Sequence, residues 1–193
     1  GDTGDLSLTT GDASGSAGSL TFNVGSSNAG IAGDLVLSAG NAVQTTGGNV
    51  RISAGASQQT TSGAIFLSTP NAGTAGVSGT IALSTGVATS GTSGVVSITT
   101  GNSNGRGVGG DIALVVGNGV SGAGGNIRLQ SGSTTDILNA GGNINLASGF
   151  SATKTSGAIF LTTANGGSAG ASGNIALQTG PSQSTLQSGD ILL

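Results

Sequence analysis

The sequence predicts an all-β protein, a β-solenoid built from thirteen units of 15–16 residues with two units in each coil. Three observations predict it. Glycine supplies 40 of the 193 residues, a pair of apolar residues recurs at a nearly constant period, and one stretch of 25 residues occurs twice with few changes. Charged residues make up 6% of the chain and hydrophobic residues 35%, with two Pro and no Glu. This composition differs from that of disordered chains and from that of collagen.

The repeating unit has the pattern G-x-φ-x-φ, where φ is an aliphatic residue or Phe. Its first residue, the anchor glycine, recurs every 14–17 residues, at Gly4, Gly18, Gly33, Gly48, Gly63, Gly79, Gly94, Gly110, Gly125, Gly142, Gly157, Gly173 and Gly189. The apolar pairs are Leu6/Leu8, Leu20/Phe22, Leu35/Leu37, Val50/Ile52, Ile65/Leu67, Ile81/Leu83, Val96/Ile98, Ile112/Leu114, Ile127/Leu129, Ile144/Leu146, Ile159/Leu161, Ile175/Leu177 and Ile191/Leu193. Because residues two apart lie on the same side of a strand, each unit is predicted to form one short strand with one apolar face.

The residues between the strands predict turns. A second glycine follows most strands, where a left-handed backbone conformation would let the chain reverse, and Asn or Asp often comes next. Apolar residues at helical spacing are missing, so no helix is predicted. A nearly constant period favours a solenoid over a sandwich, whose strands and turns vary in length.

The number of units in each coil is left open by the period alone. With two units per coil, the apolar pairs of successive units would face each other across a common interior. With one unit per coil, each pair would pack against the small residues of the returning linker. We expect two units per coil, because most linkers contain no second aliphatic pair.

A longer repeat is superimposed on the units. The 25 residues that begin at Ser62 recur from Ser156, 94 positions later, with 18 identities. This spacing corresponds to six units, so the sequence predicts one repetitive domain over residues 1–193 with a super-repeat of about 94 residues. We expect the chain to be a segment of a longer array.

The residue between the two members of each pair is predicted to point outward. At four of these positions it is large and apolar, which makes Val36, Phe66, Phe160 and Leu192 candidate lateral assembly contacts. The alternative is that they are tolerated surface residues, which need no function. The open β edges at the two ends of a solenoid also predict end-to-end self-association.

The residue types argue against an enzyme, a metal site or a cofactor site. The chain has no His, Cys, Glu or Tyr, so a Ser or Thr nucleophile would lack a base. Asp5, Asp34, Asp111 and Asp190 directly follow anchor glycines, in a slot that Asn fills elsewhere, which indicates a turn or strand-entry role rather than calcium binding.

Binding of nucleic acid or insertion into a membrane is not expected either. Four scattered basic residues form no patch, and no apolar run reaches the length of a membrane helix. A glycan or another surface target stays possible as a partner.

Stretches such as GGNINLASG and GNVRISAG resemble the glycine-rich β-solenoid repeats of large secreted adhesins and filamentous-haemagglutinin-like surface proteins. The resemblance implies an extracellular or cell-surface structural protein that forms a fibre, filament or surface layer by stacking coils. Two alternatives are a viral or phage fibre shaft and an ice- or surface-binding module. The latter is suggested by Thr doublets such as Thr99-Thr100 and Thr162-Thr163.

Overall fold

The computed structural model of the chain describes residues 3–182 and 187–192. The chain divides into two compact units, Gly1–Ile98 and Thr99–Leu193, here called the first and second halves. Within the described residues there is no helix and no strand, so the fold consists of irregular backbone with local turns. The last member of the thirteenth apolar pair, Leu193, lies outside the described residues.

The predicted β-solenoid is therefore wrong, in both its two-unit and its one-unit form. Stacked coils need backbone hydrogen bonds between residues one coil apart, which here means at least one period of 15–16 residues. Every backbone–backbone hydrogen bond of the described residues instead joins residues three to ten positions apart. The apolar pairs also form no common interior, because no residue in the described part of the chain is buried.

A segment of seven residues, from the anchor glycine to the sixth residue after it, runs without a bend in each of the first twelve units. Side chains alternate between two sides along it. In the fifth unit Phe66 is 89% exposed, whereas its neighbours Ile65 and Leu67 are 51% and 70% exposed. In the ninth unit the guanidinium of Arg128 donates two hydrogen bonds to the side-chain oxygen of Gln130, two residues along on the same side. The predicted alternation is thus present without the predicted strand pairing.

The linkers between segments contain all the bends and turns of the described residues, at 14–15, 28–30, 43–45, 58–60, 74–75, 89–91, 105–107, 120–122, 137–139, 152–154 and 168–170. Short polar side chains stabilise several of them, as expected for Ser and Asp in turns. The Ser57 hydroxyl accepts a hydrogen bond from the Thr60 amide at 2.9 Å, and Ser151 accepts one from the Lys154 amide at 2.9 Å. Gly91 has a torsion angle φ of +111°, which favours glycine at that bend.

The two ends of a linker lie against each other. In four units the amide of the anchor glycine donates a 2.9 Å hydrogen bond to the carbonyl oxygen of the first linker residue, the glycine directly after the preceding segment: Gly48 to Gly40, Gly63 to Gly55, Gly142 to Gly132 and Gly157 to Gly149. The linkers therefore resemble Ω-loops, in which a chain leaves and returns at nearly the same point.

The last residue of each segment, here called the pinning residue, decides how the linker closes. It is Ala or Ser in the four hydrogen-bonded units, at Ala39, Ala54, Ser131 and Ser148. In the other eight of the first twelve units it is Thr or Val, and in all of these except the first unit its branched side chain lies against the next anchor glycine. A Cβ added at Gly125, for example, would lie 2.7 Å from Val116 Cγ1.

The super-repeat of about 94 residues recurs in the local structure of both halves. The pinned linker between Gly55 and Gly63 corresponds to that between Gly149 and Gly157. The turn in which the Gly76 amide donates to the Gly73 carbonyl corresponds to that between Gly170 and Gly167. Equal sequences thus give equal turns, because the contacts that shape each linker are made within it.

Candidate assembly surface

The apolar pairs of the units are exposed, and this set of side chains is here called the pair face. The side chains predicted to fill an interior lie at the surface, and all that are described are at least 47% exposed. In the second to twelfth pairs, the member nearer the anchor glycine is the less exposed, at 51–59%, and the other member is 59–71% exposed. The difference follows from position, because the pinned end of the preceding linker lies close to the anchor glycine.

The four predicted lateral contacts lie on the opposite side of their segments. Val36 and Phe66 belong to the first half, and Phe160 and Leu192 to the second; all four are 78–92% exposed. A role of these four residues in assembly stays a prediction.

Sequence reasoning missed the pinning residues. The signal was present as a fixed distance: in eleven units the residue that lies against the next anchor glycine is the sixth after its own anchor, although the linkers contain eight to ten residues. Within these eleven units all variation in period therefore falls in the linkers. The second Thr of several doublets has this role, as Thr100 does toward Gly110 and Thr163 toward Gly173.

Charge is sparse around the pair face. Arg51 and Arg128 lie between pair members, on the outward side, whereas Arg106 and Lys154 lie in the bends of linkers. The pKa of Asp136 lies below its usual value because the Leu138 amide and the Asn139 side-chain amide donate hydrogen bonds to its carboxylate, at 2.9 Å and 2.7 Å. These bonds fix the turn of the longest linker and place Asp136 in a structural role.

No concave site accompanies the pair face. The described residues enclose no cavity, and they bring no three His, Cys, Asp or Glu side chains together as a metal site would. The part of the chain that the structure describes also contains no helix long and apolar enough to cross a membrane. What the surface offers chemically is apolar contact area presented at regular intervals.

Comparison with known proteins gives no relative. No protein-family model, curated protein or solved structure matches this chain.

Proposed function

We propose that this chain is an extracellular or cell-surface structural protein that self-associates into a fibre, filament or surface layer. The observation that carries the proposal is the lack of any buried residue in the described chain, together with an apolar pair exposed in unit after unit. An ordered chain of this kind requires apolar burial from outside itself, because burial is the main force that offsets the entropy lost on ordering.

The accessible area supports the same proposal. The chain exposes 19275 Å². A compact monomer of 17.8 kDa exposes about 8,000 Å² by the scaling of surface with mass. The difference of about 11,000 Å² is several times the ~800 Å² that each partner loses in an ordinary protein–protein interface. Extensive assembly would remove much of this excess, since each half-exposed aliphatic side chain gains about 1 kcal/mol or more when it is fully buried.

The composition suits a surface location. The chain has few charges and no Cys to oxidise. Its glycine-rich units resemble those of secreted adhesins and filamentous-haemagglutinin-like proteins, whose role is structural. Assembly in this proposal proceeds through side-chain faces and requires no stacked coils.

Electron microscopy of the purified chain, combined with sedimentation velocity, tests the proposal. We expect elongated particles or sheets and little material that sediments at 17.8 kDa. A chain that stays monomeric at high concentration would overturn the structural role.

A matched variant tests the predicted lateral contacts within the same experiment. Replacing both Phe66 and Phe160 by Ser removes the two outward aromatic side chains and leaves every apolar pair intact. We expect single elongated particles that no longer associate side by side. Unchanged lateral bundles would show that these aromatics are ordinary surface residues.

A further inference from the structure

The segments that carry the apolar pairs share one length, and most linkers close against the segment before them. In eleven units the segment from anchor glycine to pinning residue has seven residues, and the next anchor glycine lies against the pinning residue. A linker that returns to its starting point adds no length between segments, whether it contains eight residues or ten. Within each half, the apolar pairs are therefore separated by segments of one length, whatever the length of the linkers between them.

Backbone hydrogen bonds show that the linkers close at their bases. Gly63 donates to Gly55 and Gly157 to Gly149 across linkers of eight residues, while Gly142 donates to Gly132 across the ten-residue linker, all at 2.9 Å. In the ten-residue linker the Ser131 hydroxyl adds a second bond, to the Gly142 carbonyl at 2.9 Å. The longest linker is thus held shut at its base at least as firmly as the shorter ones.

A partner for such a face must repeat with the same spacing. A globular protein without repeats could cover one or two pairs and would leave the rest exposed. A second copy of this chain offers a pair for every pair, with seven-residue segments and pinned linkers of its own. Because the net charge is −3 and Arg51 and Arg128 are the only charged residues between pair members, copies repel one another weakly.

We infer that the pair face is an interface between copies of this chain, in which the apolar pairs of one copy pack on those of another at whole-unit register. The inference rests on the proposed structural function and specifies which face of the chain assembles. It differs from the predicted contacts at Val36, Phe66, Phe160 and Leu192, which lie on the outward side.

Thiol protection in the assembled full chain tests this assignment. The chain has no Cys, so each variant carries one thiol. Leu83→Cys places it on the pair face, Ala82→Cys on the outward side of the same segment, and Val77→Cys in the preceding linker, all at exposed positions. The measurement is the rate of alkylation by N-ethylmaleimide, in the assembled protein and after dissociation in guanidinium chloride.

We expect assembly to slow alkylation of Leu83→Cys by at least about tenfold, and to change the rates of the two controls by less than about threefold. The comparison does not depend on whether copies run parallel or are shifted by whole units. Leu177→Cys and Ala176→Cys repeat the comparison six units later, in the second half. If both Leu variants block assembly while all three controls assemble, the result also supports the interface, because these Leu side chains are exposed in the single chain.

Two outcomes would overturn the inference, and they are distinguishable. If the protein assembles but protects Ala82→Cys rather than Leu83→Cys, the outward side is the interface, and the structural function stands. If the unmodified chain stays monomeric at high concentration, the pair face belongs to a partner of another kind, and the proposed function falls as well.

Discussion

At several closed linkers the anchor position leaves little room for a side chain. At Gly63 a Cβ would lie 3.3 Å from Ala54 Cβ and 3.4 Å from the Gly55 nitrogen, and at Gly48 the equivalent distances are as short. Close approach thus accounts for glycine at these anchor positions, whereas a positive φ accounts for it at Gly91 and Gly122 among the described residues.

This crowding predicts opposite effects for two neighbouring substitutions. Gly63→Ala should lower the free energy of unfolding by about 1–3 kcal/mol, because the new methyl group is crowded by backbone that cannot rotate away. Gly55→Ala meets nothing within 4 Å and should be neutral or stabilising by up to about 1 kcal/mol, through the entropy of the unfolded chain.

The measurement is denaturant unfolding of the two variants and the parent at one chain concentration. Equal stabilities of the two variants would contradict the explanation of the anchor glycine.

At the scale of the element, each unit consists of a seven-residue segment and a linker closed on itself. The two parts differ in how much their length varies. The segment has a constant length and carries the apolar pair, whereas the linker varies in length from unit to unit. The entropy of loop closure rises slowly with loop length, so closed linkers tolerate added residues.

An insertion experiment separates the two parts. One Ser inserted after Arg106, in a linker bend, should change stability by less than about 0.5 kcal/mol. One Ser inserted after Ala113, inside a segment, moves Leu114 to the opposite side and should weaken assembly strongly. Sedimentation velocity and thermal unfolding compare the two variants; if both insertions weakened assembly equally, segment and linker would not be distinct elements.

Limited proteolysis provides a second test without any substitution. Trypsin has four cleavage sites: Arg106 and Lys154 in linker bends, and Arg51 and Arg128 inside segments. In assembled protein we expect cleavage first at the two linker sites, because the protease must open a segment that is held in an interface before it can cut there. Mass spectrometry of the early fragments identifies the order, and early cleavage at Arg51 or Arg128 would contradict an interface along the segments.

Part of this element could be predicted from sequence. The alternation of Ile65, Phe66 and Leu67 follows from a spacing of two, and the position of the bends follows from the polar linkers. The hydrogen bond from Gly63 to Gly55 could not be predicted, because it joins residues eight apart and no secondary-structure propensity describes such a contact. The solenoid was wrong because an apolar pair indicates a face that must be covered and does not specify what covers it.

At the scale of the whole molecule, the chain forms local turns but buries none of its described residues. Hydrogen bonds between described residues join positions no more than eleven apart, and the apolar pairs are exposed in every described unit. The consequence is thermodynamic: if order is stabilised by contacts between copies, it depends on the concentration of chains. The residues of the pair face could be listed from the sequence. The sequence predicted that they fill the interior of a solenoid, and only the structure shows that they are exposed.

The most direct test of assembly through exposed apolar pairs is a dilution series of the purified chain followed by circular dichroism. Samples equilibrated over an approximately 1,000-fold range of concentration should lose their ordered signal, and their unfolding midpoint should fall, as the chain is diluted. A spectrum and a midpoint that stay constant over the whole range, with a sedimenting mass of 17.8 kDa, would contradict the claim that copies of the chain complete its fold.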